Sequence, residues 1–429
     1  MPPSRRLGPC TLAALALGAC SPTPGSDPTD TSTTTATSST EPTTAPMTGA
    51  PTTSSTSDTS DTTAAATVDP TTTGVDPDST SDTTASTPGG SSTAAQLDCT
   101  VVEFAEPTLA DAVRLAYGLP PGPIAGDALT GPGTIIVAAL EHGPIADLTG
   151  LECVTGAVGL ALVGHEALTD ISRIAGLSQL EWLGLSATAV TDLSPVAGLT
   201  TLKRLDLNSI PATDLGPLAG LSVLEELSLQ SSPIADISPL QGLTALRKLN
   251  LGDTLVADLA PLSGLVLLED LDLAISKATD LGPLAGLPAL VRLDLTSTAV
   301  ADLAPLASVP KLERLRMADT AVADLSPLTG LPIRLLVAPS CAITELSPIA
   351  SFPTPELIDL RDNTIVEVDA LASVDWMAPE NTCAELLLTG NPLSAEALQL
   401  LPDMCDATGV SFAASDLECI TDACTPPPP

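Results

Sequence analysis

Apolar positions set the organisation of this chain. From Gly176 onward leucine returns at fixed places in a 22-residue unit, with Ile, Val or Met as the occasional substitute. Residues 198–219 read GLTTLKRLDLNSIPATDLGPLA, and residues 220–241 read GLSVLEELSLQSSPIADISPLQ. The register holds without a gap through Gly242, Gly264, Gly286 and Ser308. Leu205-Asp206-Leu207 alternates apolar and polar, which predicts a half-buried strand in every unit. Leu202, Leu205, Leu207, Leu215 and Leu218 would point inward and stack into one aliphatic core. Pro217, Pro239, Pro261, Pro283, Pro305 and Pro327 share one place in the unit. Proline cannot donate to a sheet, so that segment is predicted as a 3₁₀ turn on the side opposite the strand. A unit this short cannot bury its own apolar face, and the fixed period predicts a solenoid.

The flanks depart from the pattern. Residues 107–118, PTLADAVRLAYG, predict a short amphipathic helix with Gly118 as its stop. Ile145-Ala146-Asp147-Leu148 gives the first half-repeat. After Gly330 the repeat loosens: residues 330–350 are one residue short, and residues 351–372 lack the proline. Leu386-Leu387-Leu388 with Asn391-Pro392-Leu393 is the last recognisable strand and turn. Ser394 is placed to N-cap a helix over 395–401.

The L-x-x-L-x-L core, the I/V-x-D-L/I stretch and the following S/G/A-P-L resemble the leucine-rich repeat, in its 22-residue internalin-type class. The resemblance covers about residues 104–412. It implies an α/β solenoid with a parallel concave sheet, a 3₁₀ or irregular convex side, a helical N-terminal cap and a C-terminal cap. It also implies a protein-binding role. The expected divisions are a cap over 98–153, repeats over 154–372, and a last partial repeat, cap and tail over 373–429. The family usually has Asn where this chain has Thr188, Ile210, Ser232, Thr254, Ser276, Thr298 and Thr320; only Asn363 and Asn391 keep it. A weaker Thr/Ser version of the asparagine ladder is expected.

Composition adds location. The formal net charge is −37 and aromatics make up 1% of the chain. Such acidity argues against nucleic acid and against anionic membrane surfaces as partners. Residues 1–19 read as a secretory signal, with Arg5 and Arg6 ahead of a short apolar run that is too short to span a bilayer. Leu17-Gly18-Ala19-Cys20 resembles the bacterial lipobox, which makes Cys20 the lipidated residue; the alternative is an ordinary cleaved signal. By the same analogy Ser21 favours outer-membrane sorting. Residues 20–97 carry Thr, Ser, Asp and Pro with few large apolar side chains, and no Lys or Arg occurs between Arg6 and Arg114. They are predicted to be a disordered tether.

Nine cysteines occur. Cys10 leaves with the signal, Cys20 is the lipid site, and Cys341 takes a family Asn/Cys position as a buried free thiol. The other six allow 15 pairings. Proximity favours Cys99–Cys153, Cys383–Cys405 and Cys419–Cys424, and an exported location makes disulfides reasonable. Zinc is the rival, although C-x-x-C pairs are absent and His142 and His165 lie elsewhere, both expected in turns.

No catalytic constellation, phosphate loop or metal motif is visible, so the chain is read as a non-enzyme without cofactor or metal. Asp147, Asp170, Asp192, Asp214, Asp236, Asp258, Asp280, Asp302 and Asp324 share one site in the unit, continued by Glu345 and Glu367. Calcium is one reading. Capping of the proline turn is favoured, because one carboxylate per coil falls short of the roughly six to eight oxygens calcium takes. Basic residues gather on the outward side of the strands: Lys203, Arg204, Arg247, Lys248, Arg292, Arg314 and Arg316. Glu225 and Glu226, then Glu269 and Asp270, alternate with them coil by coil. Stacked strands lie about 4.8 Å apart, so these side chains would pair with each other or present a polar docking face. Trp182 shares that face, as an interface anchor or as a cover for the junction with the cap. The concave binding set is thus Trp182, Arg204, Glu226, Lys248, Asp270, Arg292, Arg314 and Arg316. The expected chain is a monomeric envelope lipoprotein that binds another protein and touches the membrane only through its lipid; the alternative is an adhesive or structural component without a discrete ligand.

Overall fold

The computed structural model describes residues 98–139, 143–376, 384–408, 410–414 and 417–419. The predicted signal and tether, with Cys20, and also His142, Cys383 and Cys424 lie outside them.

The helix predicted from 107–118 is α1 (Pro107–Tyr117), which buries Leu109, Ala110, Ala112 and Val113. Pro107 sits in its first turn, where a missing N–H costs nothing, and Gly118 closes it at φ 63°. α1 packs on β3 (Gly133–Ala138). Beside it β1 (Val101–Val102) and β2 (Ile124–Ala125) form a small antiparallel pair. Cys99 and Cys153 are bonded across this region, with Cα atoms 5.6 Å apart.

Among the described residues β3 then opens a fourteen-stranded sheet whose strands follow one another in chain order. β4 (Ala157–Val163) is followed by one three-residue strand per coil. These are β5 (Trp182–Gly184), β6 (Arg204–Asp206), β7 (Glu226–Ser228), β8 (Lys248–Asn250), β9 (Asp270–Asp272) and β10 (Arg292–Asp294). β11 (Arg314–Arg316), β12 (Leu335–Val337), β13 (Leu357–Asp359) and β14 (Glu385–Leu387) continue the row. All pairs from β3 to β15 (Ser411–Ala414) are parallel, and equivalent residues face each other in register. The missing residue after Gly330 is absorbed outside the strand, since Arg314 still faces Leu335.

The proline of each coil falls in a 3₁₀ turn such as Gly216–Leu218 or Ala260–Leu262. Between strand and turn the five expected leucines, Leu202 to Leu218, are all buried. Each coil also turns through a left-handed residue. Nine of these among the described residues are not glycine, from Ala187 to Asp362, and Ile275 is the most strained because its side chain is β-branched. Such a conformation costs an L-residue about 1–2 kcal/mol. Gly390 takes the same place in the last coil without that cost, and a methyl there would collide with the Asp362 carboxylate.

The residue after most left-handed positions holds the turn with its side chain; Ile210 is the apolar exception. Thr188, Thr254, Thr298 and Thr320 each donate to the carbonyl three residues back, within their own coil. Ser232 reaches further, donating to Leu207 O and accepting from Ile210 N–H of the preceding coil. Asn363 bridges fully: it accepts from Ile343 N–H and donates to Ala338 O as well as to its own Leu360 O. Asn391 does the same with Ile365, Leu360 and Leu388. Cys341 is half-buried rather than buried, free, and 3.1 Å from Met317 O of the coil before.

At the far end Ser394 accepts from Ala397 N–H, as an N-cap should, but α2 runs Ala395–Thr408 rather than stopping at 401. Pro402 lies inside it; burial of Ala397, Leu401, Met404 and Cys405 carries the helix past the proline. β16 (Leu417–Cys419) returns antiparallel on β15. That return sets Cys419 against α2, with Cα atoms 6.5 Å from Cys405, and the two are bonded. The pairings Cys383–Cys405 and Cys419–Cys424 are therefore wrong: chain proximity was a poor guide once a strand doubled back.

Candidate functional site

Two rows of side chains point outward from the sheet, one from the first residue of each strand and one from the third. In the first row Trp182, Arg204, Glu226, Lys248, Asp270, Arg292 and Arg314 are successive register partners. The alternating signs meet as ion pairs. Arg204 Nε lies 3.3 Å from Glu226, and Lys248 Nζ lies 2.8 Å from the other oxygen of the same carboxylate. Arg292 reaches Asp270 at 3.2 Å. A flanking row adds Lys203–Glu181 at 2.9 Å and Arg247–Glu269. Every partner is partly exposed, so each pair contributes at most about 1 kcal/mol.

The second row is structural. Asp206, Asn250, Asp272 and Asp294 each accept a hydrogen bond from the backbone N–H two residues on, which turns the chain out of the strand. Burial raises the carboxyls of Asp206 and Asp272 above their ordinary range; for Asp272 the neighbouring Asp294 and Asp270 push the same way. Sequence reasoning missed this row, although the third position of the strand triplet signals it.

These rows enclose a concave groove of about 500 Å³ between β5 and β10. The structure brings Trp182, Arg204, Glu226, Lys248, Asp270 and Arg292 together along it. Arg314 and Arg316 lie on the same sheet but do not line it. Trp182 is half-buried, and a methyl at Gly159 or Gly184 would meet its ring at 3.0 and 3.7 Å. The indole thus lies over the first coil of the sheet and also forms a wall of the groove; its Nε1 is buried without a hydrogen-bond partner.

On the other side, all nine ladder aspartates from Asp147 to Asp324 accept a backbone N–H at i+2, at 2.7–2.8 Å. Where residue i+2 is Ser or Thr its hydroxyl adds to the backbone bond, and together they hold Asp147, Asp170, Asp192, Asp236 and Asp324 below the usual carboxylate range, the Thr149 hydroxyl leading at Asp147 and the backbone bond at the other four. The acidic ladder is a set of turn caps. Among the described residues no three metal-ligating side chains gather.

His165, expected in a turn, does more than turn the chain. It is fully buried at the first coil's turn, where Nδ1 accepts from Ile145 N–H at 3.0 Å and Nε2 faces Val137 O at 3.2 Å. These contacts repeat those of Asn363 with an imidazole in place of an amide.

Comparisons agree with this architecture. A family model, Leucine Rich repeats (2 copies), matches residues 222–264. No curated protein matches the sequence. Among solved structures, an internalin (InlF) of Listeria monocytogenes superposes with a TM-score of 0.55 at 24% identity, over 75% of this chain and 92% of that one. An internalin C2 of the same organism covers 55% and 94% at 28% identity, with a TM-score of 0.42. A leucine-rich-repeat protein of Leptospira interrogans covers 62% and 86% at 16% identity, with a TM-score of 0.46. The tandem unit, the one-strand-per-coil parallel sheet and the InlF likeness give this chain the leucine-rich-repeat solenoid fold.

Proposed function

We propose that the chain is an envelope-anchored lipoprotein whose solenoid binds another protein through its concave face. The observation that carries the reading is the groove between β5 and β10, where a half-buried tryptophan stands beside a continuous row of charged side chains. A large aromatic at the end of a polar concavity is the usual composition of an interface anchor and its rim. Because the charges largely neutralise one another, the groove favours a partner of mixed polarity over a strongly charged one. Lipidation at Cys20 would hold the solenoid at the outer membrane, with residues 20–97 as the tether. The partner is a protein, not nucleic acid, and the chain acts as a monomer without enzymatic activity.

The experiment is a crosslinking pull-down from intact cells with the wild type, Trp182→Ala and Cys20→Ser. A discrete partner that is lost with Trp182→Ala at unchanged stability supports the groove. Cys20→Ser should move the protein to the soluble fraction. Uniform recovery of envelope material, indifferent to Trp182, would favour the adhesive or structural alternative.

A further inference from the structure

The concave face changes character at β12. From β6 to β11 every outward position of both rows is charged or polar, from Arg204 and Asp206 to Arg314 and Arg316. On β12 the two positions become Leu335 and Val337, each half-buried. β13 brings Leu357, and β14 brings Leu387 in the second row. Leu335 and Leu357 are direct register partners, and Asp359 stands between Val337 and Leu387. Asp359 does not interrupt the patch with a free charge, because it is buried and Arg361 grips both of its oxygens at 2.7–2.8 Å. The patch is thus four aliphatic side chains on three adjacent strands, open on the concave side.

Its N-terminal border is cationic. Arg292 and Arg314 are register partners of like charge. Arg292 is taken by Asp270, but Arg314 has only a 3.7 Å contact with Glu356, whose other oxygen is held by Arg334 at 2.5 Å. Arg316, exposed and directly in line with Val337, has Asp294 as its register partner on β10 and its charge also reaches Asp272, but it closes no ion pair with either among the described residues. In a chain of net charge −37, two neighbouring arginines on a concave face whose carboxylate neighbours come no closer than 3.7 Å can accept a further carboxylate.

Resting on the concave-face reading, we propose that the docking segment is an extended peptide of the partner protein that sets an Asp or Glu against Arg314 and Arg316 and an aliphatic side chain on Leu335, Val337, Leu357 and Leu387. The spacing follows from the sheet. β11 and β13 are two strands apart, roughly 10 Å at about 4.8 Å per strand. An extended chain covers that in about three residues at roughly 3.3 Å each. The recognised element is therefore acidic-x-x-aliphatic, lying across the strands. The self-paired region from Arg204 to Arg292 would serve as a polar rim.

The test uses the full mature chain and labelled peptides of Ser/Thr background that carry one Glu and one Leu at spacings of one to six residues. Fluorescence anisotropy should select the spacing of three. Arg316→Glu should weaken that peptide at least about tenfold, a loss of the size expected for an interface anchor. Leu357→Ser should do the same, and Arg316→Ala, at an exposed position, guards against a folding artefact. Lys277→Glu, at an exposed turn position outside the sheet, should leave the peptide's affinity unchanged. Absence of spacing selectivity, or indifference to Arg316→Glu, overturns the proposal. If a cellular partner is lost with Trp182→Ala and kept with Arg316→Glu, the concave-face reading survives and this one falls; if neither variant loses it, both fall. Binding to phosphatidylglycerol vesicles but not to peptides would assign the patch to a membrane. Self-association abolished by Arg316→Glu would assign it to a second copy. Either result also overturns the proposal.

Discussion

The two ends of the solenoid hold their turns differently from the middle. His165 at one end, and Cys341, Asn363 and Asn391 at the other, reach into the preceding coil. Between them Thr188, Thr254 and Thr298 bond only to their own coil; Ser232 reaches back, and Thr320 also meets Cys341 Sγ of the next coil at 3.3 Å. Middle coils are buttressed from both sides, whereas an end coil has one repeat neighbour and opens first. Cross-coil bonds concentrated at the ends oppose that fraying. A hydroxyl suffices where stacking on both sides already fixes the coil.

The largest test of the contrast is His165→Ala. It orphans the buried Ile145 N–H and Val137 carbonyl and leaves a cavity, so it should cost about 3–5 kcal/mol in urea unfolding. His165→Asn should recover more than half of that; an Asn variant no better than Ala would show that bridging is not the residue's role. Next comes Cys153→Ser, which opens the disulfide to Cys99 at the same end and should cost about 2–4 kcal/mol. In the middle the sign reverses. Thr298→Asn places an amide where Asn363 bridges, within reach of the preceding coil, and should stabilise by about 1 kcal/mol at unchanged m-value.

Charge tests are smaller. Arg204→Glu should cost about 0.2–1 kcal/mol. Adding Glu226→Arg should restore only part of that, because Glu226 also holds Lys248 and its reversal sets like charges together. A double mutant whose loss is the sum of the singles would show no coupling. The smallest effect concerns pH. Asp272 has a folded pKa raised above its ordinary 3.8 by burial, so its favourable contribution is complete below 3.8 and fades as pH rises through the folded value. Asp272→Asn should therefore melt slightly higher than wild type at pH 7, and the gap should close below about pH 3.8.

What could be read from sequence was whatever the core repeats. Leu205, Leu207 and Pro217 recur because each coil must stack on the next, and the Asp214 ladder recurs because each proline turn needs the same cap. Cys99–Cys153 followed from a cap with two nearby cysteines. The failures came where the outcome depends on a single event. Cys405 pairs with Cys419 because β16 turns back, and nothing periodic announces a returning strand. α2 passes Pro402 because its buried face outweighs one lost backbone bond. His165 escaped notice because its residue type differs from the ladder's amide while its hydrogen-bond geometry does not. Leu335, Val337, Leu357 and Leu387 are hidden in the sequence because an outward leucine looks the same as a core leucine until the strand register is known.

The alternating ion pairs also bear on how such a chain finds its fold. Near-identical coils invite kinetic error, since any strand could add to the wrong neighbour with its leucines satisfied. Skipping one coil would bring Arg204 beside Lys248, Glu226 beside Asp270 and Lys248 beside Arg292. Each mismatch would replace attraction by repulsion of about 0.2–1 kcal/mol, and the penalties would accumulate along the sheet. A ladder that adds little to native stability thereby acts as proofreading during assembly, rejecting the one-coil slip that the hydrophobic pattern alone would accept.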